Sequence, residues 1–300
     1  MLGRGLRGFV ALSYAWFALW FIAPVGIMLV YAFGRTAGLT QRGLVNLHHL
    51  GLGNFFQALR YPTGPVLVIS LENAVVATAL CGLIAYPVAY FIARKLGARA
   101  RVIVLLLVVL PFWTDYLLRM LGWRIFLSPL GLLYNAMHAI GWHVGYLTIL
   151  DTRSAVMIGL VYNYVPLFIL PLAVVLERID PLLLQAAGDL GAKPWTIFRT
   201  VTFPMSMTGV VAGTILVFVP MLGDYVTPTL LGGARGLMVG SLIAAEFTEG
   251  QNWSLGAAMA IELILILVGI VLVAWLLATG VRYSIARARR RSLARELPST

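Results

Sequence analysis

The sequence predicts an all-α membrane protein with six transmembrane helices. Of its 300 residues, 61% are hydrophobic or aromatic and only 11% are charged. An average soluble domain has roughly 45–50% apolar residues, even with glycine counted, and about 25% charged ones. So few charges cannot cover a water-soluble globule of this length, which excludes a soluble enzyme, a disordered chain and a nucleic-acid-binding domain. The apolar runs are long enough for helices, since about 20 helical residues cross a hydrocarbon core and barrel strands are much shorter.

Six apolar segments are long enough to cross a bilayer. They are residues 9–33, 68–93, 102–121, 155–176, 205–231 and 255–281. The first is too long for the apolar part of a signal peptide, and no clear small-residue cleavage site follows it, so we predict a retained helix. The segments together predict one transmembrane domain over residues 9–281, with a short N-terminus (1–8) and a basic tail (282–300).

The distribution of positive charge predicts the orientation. With the N-terminus inside, fifteen of the 22 Lys and Arg residues lie in cytoplasmic segments and seven lie on the other side. The positive-inside rule then places both termini in the cytoplasm. The last 19 residues hold six arginines. A basic segment beside an apolar run is typical of contact with anionic lipid headgroups rather than nucleic acid.

The loops and spans contain no predicted metal or disulfide site. His48 with His49, and His138 with His143, lack a third ligand at a metal-binding spacing. Cys81 is the single cysteine, so no disulfide forms within the chain. Prolines in the spans favour helices that line a bundle interior, because neighbours must replace the lost backbone hydrogen bonds, and a simple kink is the alternative.

Residues 177–204 are predicted to be cytoplasmic and to begin with a short helix. Asp180 is a favourable N-cap and Pro181 suits the first helical position. This helix is predicted to run to about Leu190, and Gly191 gives the chain freedom to turn.

A second short helix is predicted directly after the turn. Pro194 opens it, and it covers residues 195–203 until Pro204 ends it. Two short helices with apolar faces need a cover, which is either the membrane surface or a partner protein. We favour the partner protein.

The spacing in this loop resembles the EAA loop of permease subunits in binding-protein-dependent ABC importers. That pattern is Glu-Ala-Ala, three residues, Gly, nine residues, then an aliphatic residue, any residue, Leu and Pro. Glutamine replaces the Glu and phenylalanine replaces the Leu in this chain, so the first position hydrogen-bonds without a charge. The matching positions are Gln185, Ala186, Ala187, Gly191, Val201, Phe203 and Pro204.

The resemblance implies the fold of a type I ABC importer permease and a coupling role for this loop. It implies that the loop inserts into a groove of an ATPase subunit, with Ala186, Ala187 and Gly191 allowing close packing. The implied partners are a second similar permease, two ATP-binding subunits and a periplasmic substrate-binding protein. A Walker A loop needs Gly-Lys followed by Ser or Thr, and neither Lys95 nor Lys193 follows a glycine. We therefore expect no enzyme activity and no cofactor on this chain, with ATP and Mg²⁺ bound by the partner ATPase.

Four carboxylates lie in or at the edges of the predicted spans. Ionisable groups at membrane depth are costly and usually face a bundle interior. With the predicted orientation all four fall toward the outer half, which favours a cationic substrate. The alternative is that these carboxylates form local ion pairs. Asp115 would pair with Arg119 on the same helix face. The two glutamates would pair with Arg60 or Arg235, or would lie at the level of the lipid headgroups. The four are Glu72, Asp115, Asp224 and Glu262.

Aromatic residues near these carboxylates are candidates for cation–π contacts with the substrate, and plain packing is the alternative. They are Trp113, Tyr116, Tyr162, Tyr164 and Tyr225.

Two stretches narrow the resemblance to spermidine/putrescine permeases. Residues 110–119, LPFWTDYLLR, are similar to a Pro-x-Trp-x-x-x-Leu-x-Arg stretch in the third span of that subfamily. Residues 223–233, GDYVTPTLLGG, are similar to an acidic-aromatic-Val-x-Pro-x-Leu-Leu-Gly-Gly stretch in its fifth span. The resemblance covers residues 10–280 and implies a polyamine substrate. Permeases for ferric iron, opines, thiamine or phosphonates share much of this sequence pattern, so they remain the alternatives. An ion-coupled secondary transporter needs internal repeats, and no convincing duplication is found.

Overall fold

Long apolar helices make up most of the chain. The computed structural model describes residues 4–36, 45–60, 63–142 and 148–296, so His143 lies outside the described residues. The α-helices are α1 Arg4–Phe33, α2 Gly53–Ala58, α3 Thr63–Lys95, α4 Ala98–Val109, α5 Tyr116–Leu127, α6 Leu132–Ala139, α7 Arg153–Glu177, α8 Pro181–Asp189, α9 Pro194–Ile197, α10 Phe203–Leu222, α11 Val239–Thr248 and α12 Trp253–Glu296. Strands β1 Arg35–Thr36 and β2 Val45–Asn46 pair antiparallel. Leu110–Trp113 and Gly233–Arg235 are 3₁₀ turns, and Phe198–Thr202 and Pro228–Gly232 are π-helical turns.

Within the described residues, five helices are long and apolar enough to cross a membrane. Two further pairs, Ala98–Trp113 with Tyr116–Leu127 and Pro228–Arg235 with Val239–Thr248, pass the same test but are bent by 87° and 101°. Up to seven spans result if each bent pair is one span. The five straight ones are Leu12–Phe33, Gly64–Lys95, Arg153–Glu177, Pro194–Leu222 and Trp253–Val273.

One compact unit consists of residues 1–56 and 252–300. In this unit α1 packs along α12. Asn54 closes the end of α1, because its side-chain amide donates to the carbonyls of Ala32 and Gly34 at 2.8 and 2.7 Å. The hydroxyl of Thr36 donates to Asn252 at 2.5 Å, which joins β1 to the start of α12.

The other unit, residues 57–251, is built on α3, α7 and α10. Five small buried residues of α3, three or four positions apart, form one face: Ala74, Ala77, Cys81, Ala85 and Ala89. Such a face lets two helices approach closely, which is how helices associate where lipid removes the hydrophobic driving force.

Helix α10 approaches α7 through Gly209 and Gly213. A Cβ at Gly213 would lie 2.7 Å from the ring of Phe168, and one at Gly209 would lie 3.1 Å from the Cα of Leu172. These glycines are four residues apart, so they share one face of the helix. The close contact between α7 and α10 therefore depends on two missing side chains.

The third predicted span, residues 102–121, is not one helix. Pro111 lies in the 3₁₀ turn after α4, and Thr114 is extended. Asp115 then starts a new helix, because its Oδ1 accepts from the backbone N–H groups of Leu117 at 2.9 Å and Leu118 at 3.2 Å. An N-cap of this kind fixes the first turn of α5, and the chain bends there. The expected ion pair of Asp115 with Arg119 is absent, since the Arg119 guanidinium donates to the Pro111 carbonyl at 2.9 Å.

The fifth and sixth predicted spans also have different ends. Residues 205–231 were predicted to be one span interrupted by prolines, and α10 ends at Leu222, after which the chain turns through the Pro228–Gly232 π-helical segment. Pro228 lacks the N–H group that a continuous α-helix would use here. Helix α12 extends to Glu296 instead of ending at residue 281.

Candidate functional site

The segment from Asp180 to Gly191 forms the first predicted short helix, α8. The Asp180 side chain accepts a hydrogen bond from Leu182 N at 2.9 Å, and Pro181 occupies the first turn. Gly191 has a φ of +80°, the left-handed conformation that glycine adopts without steric cost. The predicted N-cap, start and turn of this helix are confirmed.

The end of α8 explains the spacing between the alanines and the glycine. The N–H of Ala192 donates to the carbonyl of Ala187 at 3.1 Å, and the N–H of Gly191 donates to Gly188 at 2.8 Å. These are the two bonds of a Schellman motif, in which a left-handed residue follows the helix at a fixed offset. Gly191 therefore stands where the turn out of α8 requires it.

The second short helix does not end at Pro204. Helix α9 continues through the Phe198–Thr202 π-helical turn into α10, so Pro194–Leu222 forms one apolar helix. In the π-helical turn, Phe203 N donates to the carbonyl of Phe198, five residues back. Pro204 follows this turn directly, so the break in the regular α-helical hydrogen bonds accommodates its missing N–H group.

The two short helices leave apolar surface uncovered. No residue of α8 is buried. Leu190, at the turn, is 89% exposed, and Trp195 is 70% exposed. Ala186 and Gln185 are also exposed. Exposed apolar residues gathered in one segment mark an interaction surface.

Two arginines tie the start of this segment to the ends of the long helices. Arg94, in the last turn of α3, donates to the carbonyl of Ile179 at 2.8 Å. Arg101 of α4 pairs with Glu177 at the end of α7 and also donates to the carbonyls of Ala93 and Leu96. Sequence reasoning counted both arginines only toward orientation and did not single out Glu177. The position of both arginines at the ends of predicted spans was the available signal.

Asp224 lies at the break after α10 and is 5% exposed. Its Oδ1 accepts from the backbone N–H groups of Val226 at 3.0 Å and Thr227 at 3.2 Å. Its Oδ2 accepts from the Thr227 hydroxyl at 2.7 Å and from the hydroxyl of Tyr116. Among the described residues no Lys or Arg pairs with this carboxylate. Four hydrogen bonds are what allow a carboxylate to remain buried without a cation.

Aromatic residues surround this carboxylate unequally. The hydroxyl oxygens of Tyr116 and Thr227 also lie 2.6 Å apart, and both hydroxyls point their protons at Asp224. The hydroxyl of Tyr164 donates to the Pro220 carbonyl at 3.5 Å. Tyr225 is exposed, and Thr227, which the sequence alone did not single out, is fully buried. The structure thus brings Tyr116 and Asp224 together and leaves the Tyr225 ring on the surface.

The other predicted pathway residues have different surroundings. Glu72 pairs with Arg153 at 3.0 Å, not with Arg60 or Arg235, and Arg153 also donates to Asn73 at 2.5 Å. Asp115 and Trp113 are exposed around the bend before α5. Glu262 belongs to the other unit, where it is half-buried on α12. In the described part of the chain, no three His, Cys, Asp or Glu side chains gather at a metal-binding distance.

Comparison with known proteins identifies the family. Residues 79–283 match the family described as binding-protein-dependent transport system inner membrane component. The chain belongs to this family. The predicted resemblance is confirmed, and the chain is a multi-pass permease subunit of the inner membrane.

Named relatives of this permease include two spermidine/putrescine transport system permease proteins. PotB of Haemophilus influenzae is 37% identical over 256 residues, which cover 85% of this chain and 87% of that protein. PotB of Escherichia coli is 39% identical over 210 residues, which cover 70% of this chain and 76% of that protein.

A solved structure has the same fold. It is the crystal structure of a bacterial ABC transporter involved in the import of the acidic polysaccharide alginate. The TM-score is 0.66 at 18% identity, with 92% of this chain and 95% of that chain covered. The predicted all-α permease fold is confirmed.

Proposed function

We propose that this permease forms half of the pathway of an ATP-driven importer for a polyamine such as putrescine or spermidine. The single observation that best supports the import mechanism is that the α8 segment, which ends in a Schellman turn, is exposed. It exposes Ala186 and Leu190 and leaves Ala187 partly exposed. A groove on a separate ATPase subunit is the partner that this surface fits, and Gln185, Gly191 and Pro204 complete the coupling loop.

The polyamine substrate is supported by the two PotB relatives and by the charge of Asp224. A buried carboxylate without a cation places a negative potential in a region of low dielectric constant. Because Oδ1 and Oδ2 are already hydrogen-bonded to the protein, Asp224 acts on a passing cation through its field, not as a direct ligand. The exposed Tyr225 ring beside it supplies a face for a cation–π contact.

The remaining pathway candidates supply charge and aromatic surface elsewhere. Glu72, Trp113, Asp115 and Glu262 are at least partly accessible. Of these, Glu72 already has a partner in Arg153, so we rank Asp115 and Glu262 ahead of it.

The assembly that we propose has four kinds of subunit. This chain pairs with a second, similar permease; two ATP-binding subunits hold ATP and Mg²⁺; and a periplasmic binding protein delivers the substrate. Both termini of this chain face the cytoplasm, which puts α8 on the side of the ATPase.

Transport in proteoliposomes tests this function. The chain is reconstituted with its partner permease, ATPase and binding protein, and uptake of labelled putrescine and spermidine is measured with ATP enclosed. We expect uptake that needs ATP and the binding protein. The matched control is an ATPase subunit whose Walker A lysine is replaced, which should abolish uptake.

Two outcomes would contradict the proposal. Uptake that continues without ATP when an ion gradient is present would indicate a secondary transporter. ATP-dependent uptake of ferric iron, an opine, thiamine or a phosphonate, with no polyamine uptake, would keep the importer mechanism and reject the substrate.

A further inference from the structure

A cavity of about 430 Å³ lies between the end of α3 and helix α8. Arginine, lysine and glutamine side chains dominate its polar lining, together with one glutamate and one tyrosine. The polar lining residues are Tyr90, Arg94, Lys95, Arg101, Glu177 and Gln185.

The lining has an excess of positive charge. Three cationic side chains face a single carboxylate, Glu177, and Arg101 already pairs with it. Among the described contacts, the Nε atom of Arg94 is buried without a hydrogen-bond acceptor, although its Nη2 donates to Ile179. The three described ion pairs do not include Arg94, so its charge adds to the positive excess of the lining.

Gln185 contributes to this excess. The EAA pattern has glutamate at this position, and a carboxylate here would bring one negative charge to the cavity wall. The glutamine of this chain leaves the cavity one unit more positive than the pattern would. The excess positive charge can therefore be balanced by an anion that is not part of this chain.

The cavity lies where long apolar helices end. Helix α3 ends at Lys95 and α7 ends at Glu177, and both are long enough to cross a bilayer. The ends of spans lie at the depth of the lipid headgroups, where lysine and arginine bind phosphate groups. Arginine binds phosphate through charge-assisted hydrogen bonds and is suited to it by its planar guanidinium.

We propose that this cavity binds the phosphate group of an anionic lipid such as phosphatidylglycerol. The bound headgroup neutralises part of the positive charge of the lining and holds Gln185 of α8 near the end of α3. Its effect on coupling rests on the proposed function, because it requires that α8 contact an ATPase. Binding of the lipid itself does not depend on that function.

Lipid binding to the intact transporter complex tests the proposal. The complex is purified in detergent, titrated with phosphatidylglycerol, and bound lipid is counted by native mass spectrometry. We expect Lys95→Gln and Gln185→Glu each to weaken binding about fivefold, as expected for one unit of charge at a headgroup site. The matched control is Arg99→Gln, which removes an exposed charge of α4 that does not line the cavity and should leave affinity unchanged.

Competition separates the sources of phosphate. Inorganic phosphate and the zwitterionic lipid phosphatidylcholine are added in separate arms. If neither displaces phosphatidylglycerol, the site recognises an anionic headgroup, as proposed. If inorganic phosphate alone displaces it, the ligand is free phosphate, and the lipid assignment is overturned.

Two further results would overturn the proposal. Equal lipid affinity in all four proteins would show that the cavity is not the site. Retention of lipid by the permease pair but not by the complete complex would show that an acidic group of the ATPase occupies the cavity.

ATP hydrolysis in nanodiscs with and without phosphatidylglycerol is measured in parallel. The two proposals can fail separately. If Lys95→Gln and Gln185→Glu lose lipid binding but none of the four proteins assembles with an ATPase, the proposed function is rejected and the lipid site is retained.

Discussion

Asp224 is the buried carboxylate on which the proposed substrate pathway depends. Burying a carboxylate without a counter-charge is expensive, and the cost is met here by hydrogen bonds from two backbone N–H groups and two hydroxyls. The two N–H bonds also begin the turn after α10. Asp224 therefore has a structural role and an electrostatic role, which different substitutions separate.

Replacing Asp224 distinguishes these roles. Asp224→Asn keeps an oxygen for the N–H groups of Val226 and Thr227 and removes the charge. We expect normal thermal stability and polyamine uptake lowered about tenfold, as for the loss of about 1.4 kcal/mol of cation stabilisation. Asp224→Ala leaves the N–H groups and hydroxyls unpaired and should cost about 1–3 kcal/mol of stability.

The measurements are uptake in proteoliposomes and thermal unfolding of the purified complex. Tyr116→Phe serves as the control, because it removes one hydrogen bond to Asp224 and keeps the charge. Undiminished uptake by the Asp224→Asn variant would show that the charge is not needed.

At the scale of the element, helix α8 is defined by its two ends. Asp180 caps the first turn, and the Schellman bonds at Gly188, Gly191 and Ala192 close the last one. A nine-residue helix is too short to be stable in water by itself, so its ends and its attachment to α3 and α7 determine its position.

Gly191 and Gly188 offer a matched pair of substitutions in this element. Gly191→Ala forces a side chain into the left-handed conformation, which costs about 1–2 kcal/mol, and should change the exit angle from α8. Gly188→Ala lies inside the helix, where a Cβ would meet nothing within 4 Å, and should add helix propensity at no steric cost.

We expect Gly191→Ala to lower the stimulation of ATP hydrolysis by the loaded binding protein at least about fivefold. This factor corresponds to a loss of about 1 kcal/mol, the lower value for the cost of the altered turn. Gly188→Ala should match the unaltered complex. Equal stimulation in all three proteins would show that the turn does not set the position of α8.

At the scale of the whole molecule, charge and apolar surface are sorted along the chain. Large apolar side chains remain exposed on the long helices, such as Trp16 and Trp20 on α1 and Leu83 on α3. In water such surfaces would drive aggregation, whereas lipid tails, and a second permease in the proposed assembly, cover them in the membrane. Most of the few charges lie toward the ends of spans, and their distribution is the basis of the predicted orientation.

Cysteine labelling of intact cells tests this orientation. Cys81 is buried, so the unaltered chain is a suitable background. A membrane-impermeant maleimide should label Leu130→Cys, which is exposed between α5 and α6 and predicted to be outside, but not Arg99→Cys, which is exposed at the start of α4 and predicted to be inside.

Both positions should react fully once the cells are opened, which controls for accessibility. The reverse pattern would show that both termini face outward, and α8 could then not reach a cytoplasmic ATPase.

The sequence alone was sufficient for the class of molecule and for the two ends of helix α8. Length and apolar content of the spans follow from the thickness of a bilayer, and the caps at Asp180 and Gly191 are local effects of single residues on their own backbone. The family match at residues 79–283 confirms the same class. The roles of the pathway residues and the orientation of the chain in the membrane stay predictions.

Tertiary structure decided where the spans break and which charges meet. Pro111 and Pro228 are evident in the sequence, but the missing N–H group of a proline is compatible with either a small kink or a sharp bend. The hydrogen bonds of Asp115 and Asp224 to the backbone N–H groups that follow them decide for the sharp bend. The pairing of Arg153 with Glu72 and of Arg101 with Glu177 joins residues 81 and 76 positions apart. Helical periodicity relates residues three or four positions apart on one helix, so it contains no information about which side chains of separate helices touch.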